Sequence, residues 1–461
     1  MRQTKFTLAL LVAAALAACG GSTGGDQTLK VKYASQVTFG DSLSDVGSYQ
    51  VGTIKALGGG TFTINGDNTA TNPALTGKNW TQLMAAQFGL PAPCAAQTGL
   101  EGDPLQGFAV PVVMHAGCYG YAQGGSRVSN PIGSSNKATG SPVGATTVPV
   151  TTQVANHLAV SGGKFKGDEI VFVMAGGNDA LALLGGLSTA ATAAGVAEGT
   201  KVGNQTFVTT FATLLGSSAT TPATAIPAIG AALVAESQRA GSTSNSLIAA
   251  GVSAAAQQPG NAAVASQAVW GPLAVQAKAT ADAAGKTAGA KAGADYAAAN
   301  GPKLVAGMAT AATELVNLVK TQIVGKGATH VVVNNLPDLG GSPAGRANDA
   351  NTLALINAMV KAFNDTLRAG VANDAAIMYV DLFAISQDQA TNPGPYGLTN
   401  TTTPACGPNK LGTTSLVCNG TNVIAGDVSH YMFADDVHPT PFVHTLIARY
   451  VSEQMVVRHW L

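Results

Sequence analysis

Four short runs, largely apolar, punctuate the chain, and each leads into small or polar residues. Gln36 to Gly40 runs into Asp41-Ser42, and Ile170 to Met174 into Ala175-Gly176-Gly177-Asn178-Asp179. Thr329 to Val333 precedes Asn334-Asn335-Leu336-Pro337-Asp338, and Ala376 to Val380 precedes Asp381-Leu382-Phe383. Runs of this length, bounded by Gly, Pro, Asn or Asp, are those of parallel strands covered on both faces. Helical patterns lie between them, over Thr81 to Phe88, Pro302 to Val324 with a proline near its start, and Asn351 to Leu367. Strand alternating with helix predicts an α/β fold, a three-layer doubly wound parallel sheet.

Residues 183–300 break this rhythm. Ala, Gly, Ser and Thr dominate and large side chains are few. Ala262 to Ala268 and Val275 to Ala299 have strong alanine helix propensity that the interspersed glycines weaken. The segment reads as a helical insertion with some loop, either a packed cap or a surface facing the substrate. No period recurs in the manner of a solenoid.

Composition narrows the function. The 461 residues carry 24 Lys+Arg against 24 Asp+Glu, without the basic excess of a nucleic-acid binder. A 46% hydrophobic content argues against general disorder. Arg2 and Lys5 precede an apolar run from Phe6 to Ala18, which is too short to span a bilayer and reads as an export signal over residues 1–18. Its end, Leu16-Ala17-Ala18-Cys19, resembles a bacterial lipobox, which implies cleavage before Cys19 and lipid on its thiol; an ordinary signal cleaved at a small residue is the plainer reading. Residues 19–33, with Gly20 to Gly25, have the composition of a flexible tether. Gly20 stands where enteric lipoproteins retained at the inner membrane carry Asp, so the resemblance favours the outer membrane. Loss of residues 1–18 removes two cations and leaves the mature chain weakly acidic.

Cys94, Cys118, Cys406 and Cys418 remain after Cys19. In an exported protein they suggest two disulfides with three possible connectivities, of which the local pairing is the expectation. No CxxC-like cluster supports a metal site.

The chemistry concentrates where strands end. Phe39-Gly40-Asp41-Ser42-Leu43-Ser44-Asp45-Val46-Gly47 follows the first strand. A serine at a strand-to-helix turn stands at the carboxyl edge of the sheet, where open α/β folds bind ligands, and a helix terminus there would offer N–H groups to an anion. The nonapeptide resembles the first block of the GDSL, or SGNH, hydrolase family, and further blocks follow in order. Tyr121-Ala122-Gln123-Gly124-Gly125-Ser126-Arg127 is similar to the glycine block, Gly177-Asn178-Asp179 to the asparagine block, and Asp435-Asp436-Val437-His438-Pro439-Thr440 to the final Asp-x-x-His block. Asn335 to Gly340 is similar to a segment of the lipolytic branch. The likeness covers about residues 36–455, weakly in the insertion, and implies a flavodoxin-like hydrolase domain over residues 34–461. It is close to the passenger domain of autotransporter esterases, but the 23 residues after His438 are too few for a β-barrel, which needs roughly ten residues per strand.

The resemblance implies Ser42 as nucleophile, His438 as base, and Asp435 as the group that orients the histidine. The N–H groups of Ser42 and Gly125 and the Asn178 amide would hold the oxyanion. These residue types suit ester cleavage, which needs a nucleophile, a base of near-neutral pKa, and donors aimed at the developing charge. Gly124 competes with Gly125 as donor, Asp436 with Asp435, and His430 and His444 with His438, although only His438 has the Asp-x-x-His-Pro spacing. Asp41 and Asp45 are expected to brace the serine turn. The expectation is a lipid-anchored serine esterase or lipase with no metal or organic cofactor, acting on a small-molecule or lipid ester. A phospholipase or lipid acyltransferase on the same residues, a polysaccharide deacetylase, and a non-catalytic surface-binding lipoprotein are the alternatives; a metal-dependent phosphoesterase fits less well. Low charge points towards apolar acyl groups.

Overall fold

A computed structural model describes residues 31–66 and 77–461. The expected signal over 1–18, Cys19 and nearly all of the 19–33 tether lie outside the described residues. Strands β1 (Ser35–Gly40), β4 (Glu169–Met174), β5 (His330–Asn334) and β6 (Ile377–Val380) form a parallel sheet in that order. Val37, Val171, Val331 and Ile377 fall in one register row, and Thr38, Phe172, Val332 and Met378 in the next. Successive side chains of a strand point to opposite faces, so adjacent rows feed different layers.

One layer gathers Val37, Val171 and Val331 against helices α2 (Val150–Val160), α6 (Gln267–Leu318) and α7 (Ala350–Val371). The other gathers Phe172, Val332 and Val380 against α1 (Trp80–Gln87), α8 (Leu382–Thr391) and α9 (Pro441–Val457). The fold is therefore a three-layer α/β sandwich. Helix α7 shows how local sequence serves this packing: Asp349 caps it by accepting from the Asn351 and Thr352 N–H groups, and Ile356, Met359, Val360, Phe363 and Leu367 form its buried stripe. In the second layer Trp80 meets Phe172 edge to face at 4.9 Å. Burial of one such side chain contributes about 1.5–3 kcal/mol.

A hairpin of β2 (Gln97–Glu101) and β3 (Ala109–Met114) precedes the glycine block. Cys94 is bonded to Cys118 at its base, and Cys406 to Cys418 in the loop before the Asp-x-x-His block, so the pairing is local.

The Ala/Gly-rich region forms an arm. Helix α3 (Gly177–Gly216) leaves the end of β4, α4 (Pro222–Gln238) and α5 (Ser244–Ala256) follow, and α6 returns to the sheet. The far end has its own core of Phe211, Leu215, Ile229 and Leu233. Along the middle of the arm, α3 and α6 run antiparallel with their backbones in contact. A Cβ on Gly199 would sit 2.8 Å from the Gly285 carbonyl oxygen, and one on Gly289 would sit 2.7 Å from that of Gly195. These glycines permit the close approach, although in the sequence they only weaken helix propensity. Pro302 does not open a helix as expected but lies inside α6. Its ring removes the hydrogen bond to the Ala298 carbonyl, and Ala298 is solvent-exposed, so that carbonyl is open to solvent. An 18-residue window of α3 has a mean hydropathy of 1.6 with only 6% of it buried, a longer apolar stretch than the composition suggests.

Candidate active site

Ser42 stands just beyond the carboxyl end of β1. The turn is held by the Ser44 N–H donating to the Asp41 carbonyl at 3.1 Å and by the Leu43 N–H donating to Asp41 Oδ1 at 3.1 Å. No long helix follows, contrary to the strand-to-helix expectation; tight turns continue to Gln50 because Asp45 gathers the next amides instead. Asp45 Oδ1 accepts from the Gly47 and Ser48 N–H groups at 2.9 and 2.7 Å, and Oδ2 from the Gly124 N–H at 2.8 Å. Asp45 thus joins the serine turn to the glycine block, 79 residues away in sequence.

The glycine block reaches this place by pairing along the free edge of β1. The Thr38 N–H donates to the Tyr119 carbonyl, the Tyr121 N–H to the Thr38 carbonyl and the Gln123 N–H to the Gly40 carbonyl. Gln153, fully buried on α2, fixes the junction: its Oε1 accepts from the Gly40 N–H at 2.8 Å, and its Nε2 donates to the Gly40 carbonyl and Ser126 Oγ, both at 2.9 Å. The two glycines are required for different reasons. A Cβ on Gly124 would fall 2.1 Å from the Phe62 ring, and Gly125 has φ +82°, the left-handed region that favours glycine. Since the Gly124 N–H is committed to Asp45, it does not compete as an anion donor. The Ser42 and Gly125 N–H groups have no hydrogen-bond partner among the described residues.

Asn178 occupies the first turn of α3. Its Nδ2 donates to the Ser126 carbonyl at 3.0 Å, which uses one amide hydrogen and leaves the second. The neighbouring Asp179 accepts from Arg127 Nε at 3.1 Å and from the Val128 N–H at 3.0 Å, so the asparagine and glycine blocks are also tied together.

His438 comes from the loop before α9. Its Nε2 lies 2.8 Å from Ser42 Oγ, and its Nδ1 lies 2.9 and 2.8 Å from the two Asp435 oxygens. An ionised carboxylate only accepts, so Nδ1 carries the proton and Nε2 accepts from the serine hydroxyl. Asp435 further receives the N–H groups of Ser415, Val437 and His438 at 2.7, 3.0 and 2.8 Å. Burial alone would raise its pKa, but the His438 charge and these hydrogen bonds hold it well below the usual carboxylate range. Burial would likewise lower the His438 pKa, yet the charge and hydrogen bond of Asp435, together with the Asp41 charge, raise it above the ordinary histidine value.

The competing residues are placed elsewhere. Asp436 is exposed. His430 Nδ1 sits on the Gly397 carbonyl, and its ring stacks on Phe442. His444 is buried, accepts from the Trp80 N–H, and is pushed down to about 3 by burial. Burial raises Asp41 to about 7 and Asp45 to about 6. Sequence reasoning missed Gln153 and Phe62, whose ring lies 5.1 Å from that of His438; neither belongs to a motif block.

The molecule is thus a parallel α/β protein that brings a serine, a histidine and an aspartate together at the carboxyl edge of its sheet. Residues 280–451 match the family model described as GDSL-like Lipase/Acylhydrolase, a span from within α6 to within α9 that includes Asp435 and His438 but not Ser42. The chain is similar to the GDSL esterase/lipase APG of Arabidopsis thaliana, 28% identical over 138 residues, covering 28% of this chain and 39% of the plant protein. A second GDSL esterase/lipase of the same plant is 28% identical over 141 residues, with the same two shares. The matched region spans about two-fifths of the length of these relatives. Over part of its length the chain is thus similar to GDSL lipases and acylhydrolases.

Proposed function

We propose that the protein is a serine esterase or lipase that cleaves carboxylic esters through an acyl-enzyme. The observation that carries this reading is the continuous contact from Ser42 Oγ through the His438 ring to Asp435. Ser42 Oγ attacks the ester carbonyl carbon as its proton passes to His438 Nε2. The carbonyl oxygen, now negative, is held by the unpartnered Ser42 and Gly125 N–H groups and the second Asn178 amide hydrogen. Collapse breaks the bond to the alkoxy oxygen, which leaves as the alcohol with the proton from His438. Water then attacks the acyl carbon and gives its proton to His438; collapse breaks the bond to Ser42 Oγ, which takes that proton back as the acid leaves. Asp435 holds the Nδ1–H tautomer and the transient imidazolium throughout.

Cys19, outside the described residues, is proposed as the lipid anchor that would hold this domain at an outer membrane. Metabolic labelling with a palmitate analogue tests it: incorporation lost in Cys19→Ala supports the anchor, and incorporation unaffected by that change removes it. For the activity, hydrolysis of a chromogenic butanoate ester is the direct test. Turnover by the native protein, abolished in Ser42→Ala, supports the reading, and equal turnover by the variant rejects it.

A further inference from the structure

We propose that the root of the helical arm is the acyl-binding site, and that the groove over the joint face of α3 and α6, walled on one side by α7, takes a long apolar chain running outward from the serine turn. This inference rests on the esterase reading and names the substrate class of the same site.

The groove has a volume of about 1630 Å³. Leu181, Leu184 and Leu187 of α3, Val305 of α6 and Leu355 of α7 give it aliphatic walls. Further out α3 and α6 touch backbone to backbone at their glycines, so the groove there has a floor of glycine and alanine with few side chains standing into it. A second, smaller pocket lies against Leu43, the residue after the serine, and is lined by Met174, Met432 and Phe433. Leu339, Ser342 and Val437 line both cavities, and Val437 immediately precedes His438. The apolar surface therefore continues from the serine turn past the histidine and along the arm.

Dimensions favour a long chain over a short one. The α3 side of the groove runs from Leu181 to Thr200, about 28 Å at the 1.5 Å helical rise. A short acyl group would fill only the part nearest Val437, whereas each further methylene would find more wall to cover. Among the described residues, the only charged ones lining the groove are Lys286 and Asp349, and both are exposed. Nothing in the inner wall would hold a second charged group, which separates an acyl chain from a sugar phosphate or a peptide as the occupant.

Ser188 on α3 and Ala298 on α6 both line the groove and are both solvent-exposed, so tryptophan at either site narrows the space without entering the protein core. Ser188→Trp and Ala298→Trp, made separately, are compared with the native protein on acetyl, butanoyl, decanoyl and hexadecanoyl p-nitrophenyl esters. The expected result is a loss of about tenfold or more in kcat/KM for the hexadecanoyl ester, the equivalent of roughly two buried methylenes, with the acetyl and butanoyl rates within about twofold of native. The unchanged short-ester rate reports that each variant is folded. A chain-length profile identical to native in both variants overturns the assignment while leaving the esterase reading intact. A native protein that cleaves none of the esters and takes no label on Ser42 overturns both.

Discussion

Asp45→Asn separates catalysis from stability. The carboxylate is fully buried and spends Oδ1 on Gly47 and Ser48 and Oδ2 on Gly124. An asparagine in the same pose keeps its oxygen on the serine turn but turns an NH2 towards the Gly124 N–H, donor against donor. A buried N–H left without an acceptor costs about 1–3 kcal/mol. Against this, burial has raised the aspartate from 3.8 to about 6, so keeping it ionised at pH 7 costs about 3 kcal/mol, which the neutral amide no longer bears. The two effects oppose each other, and the net change in stability at pH 7 is expected to stay within about 2 kcal/mol of zero. Activity has no such compensation. With its tie to Asp45 gone, the 124–125 segment no longer holds the Gly125 N–H over the oxyanion, and kcat should fall by about tenfold to 10²-fold, towards the loss of one oxyanion donor. KM should change little, since the donor acts mainly on the transition state. The assay is a urea titration beside steady-state hydrolysis of a butanoate ester. Native kcat in a folded Asp45→Asn protein refutes the idea that Asp45 aligns the glycine block.

Three further outcomes are expected. Asp435→Asn should lower kcat by about 10⁴ and, because the carboxylate is what raises His438, move the acidic limb of the rate profile to lower pH; a limb that stays in place contradicts the assignment. His157, buried among Phe39, Tyr121 and Phe165 and pushed down to about 4 by burial, is neutral in the fold, while the unfolded chain binds the proton below about 6.5. The stability of the native protein relative to His157→Phe should therefore decline by about 3 kcal/mol as pH falls from 6.5 to 4, measured by urea titration at each pH. Gly285→Val would force Cβ to within 2.7 Å of the Gly199 carbonyl; it should destabilise the arm by about 1–3 kcal/mol yet leave acetyl ester turnover near native, as seen by denaturation and assay of one preparation.

What the sequence discloses follows from which physics is local. The four core strands are legible because burial on both faces leaves an apolar run, and their bounds agree with the structure to within a residue or two. Asp435 and His438 are legible through their likeness to a known Asp-x-x-His block, a local motif; Asp436 competes with Asp435 in sequence, and the structure sets Asp435 against His438 Nδ1. The β2–β3 hairpin leaves no such mark: its second strand reads Ala-Val-Pro-Val-Val-Met and is largely exposed, so it lacks the alternation of a half-buried strand. Gln153 and Asp45 act across 113 and 79 residues, and such reach leaves no mark in a window of neighbours. The α3–α6 glycines stand in sequence only as weak helix formers for the same reason, since what they permit lies in a helix some 90 residues away.

The central claim is that Ser42 becomes acylated. Incubation of the pure protein with a fluorophosphonate and peptide mass mapping should find one adduct, on the peptide containing Ser42, formed more slowly as pH falls through the His438 titration and absent from Ser42→Ala. A folded protein that hydrolyses esters without a Ser42 adduct, or that is labelled equally in Ser42→Ala, would contradict the account.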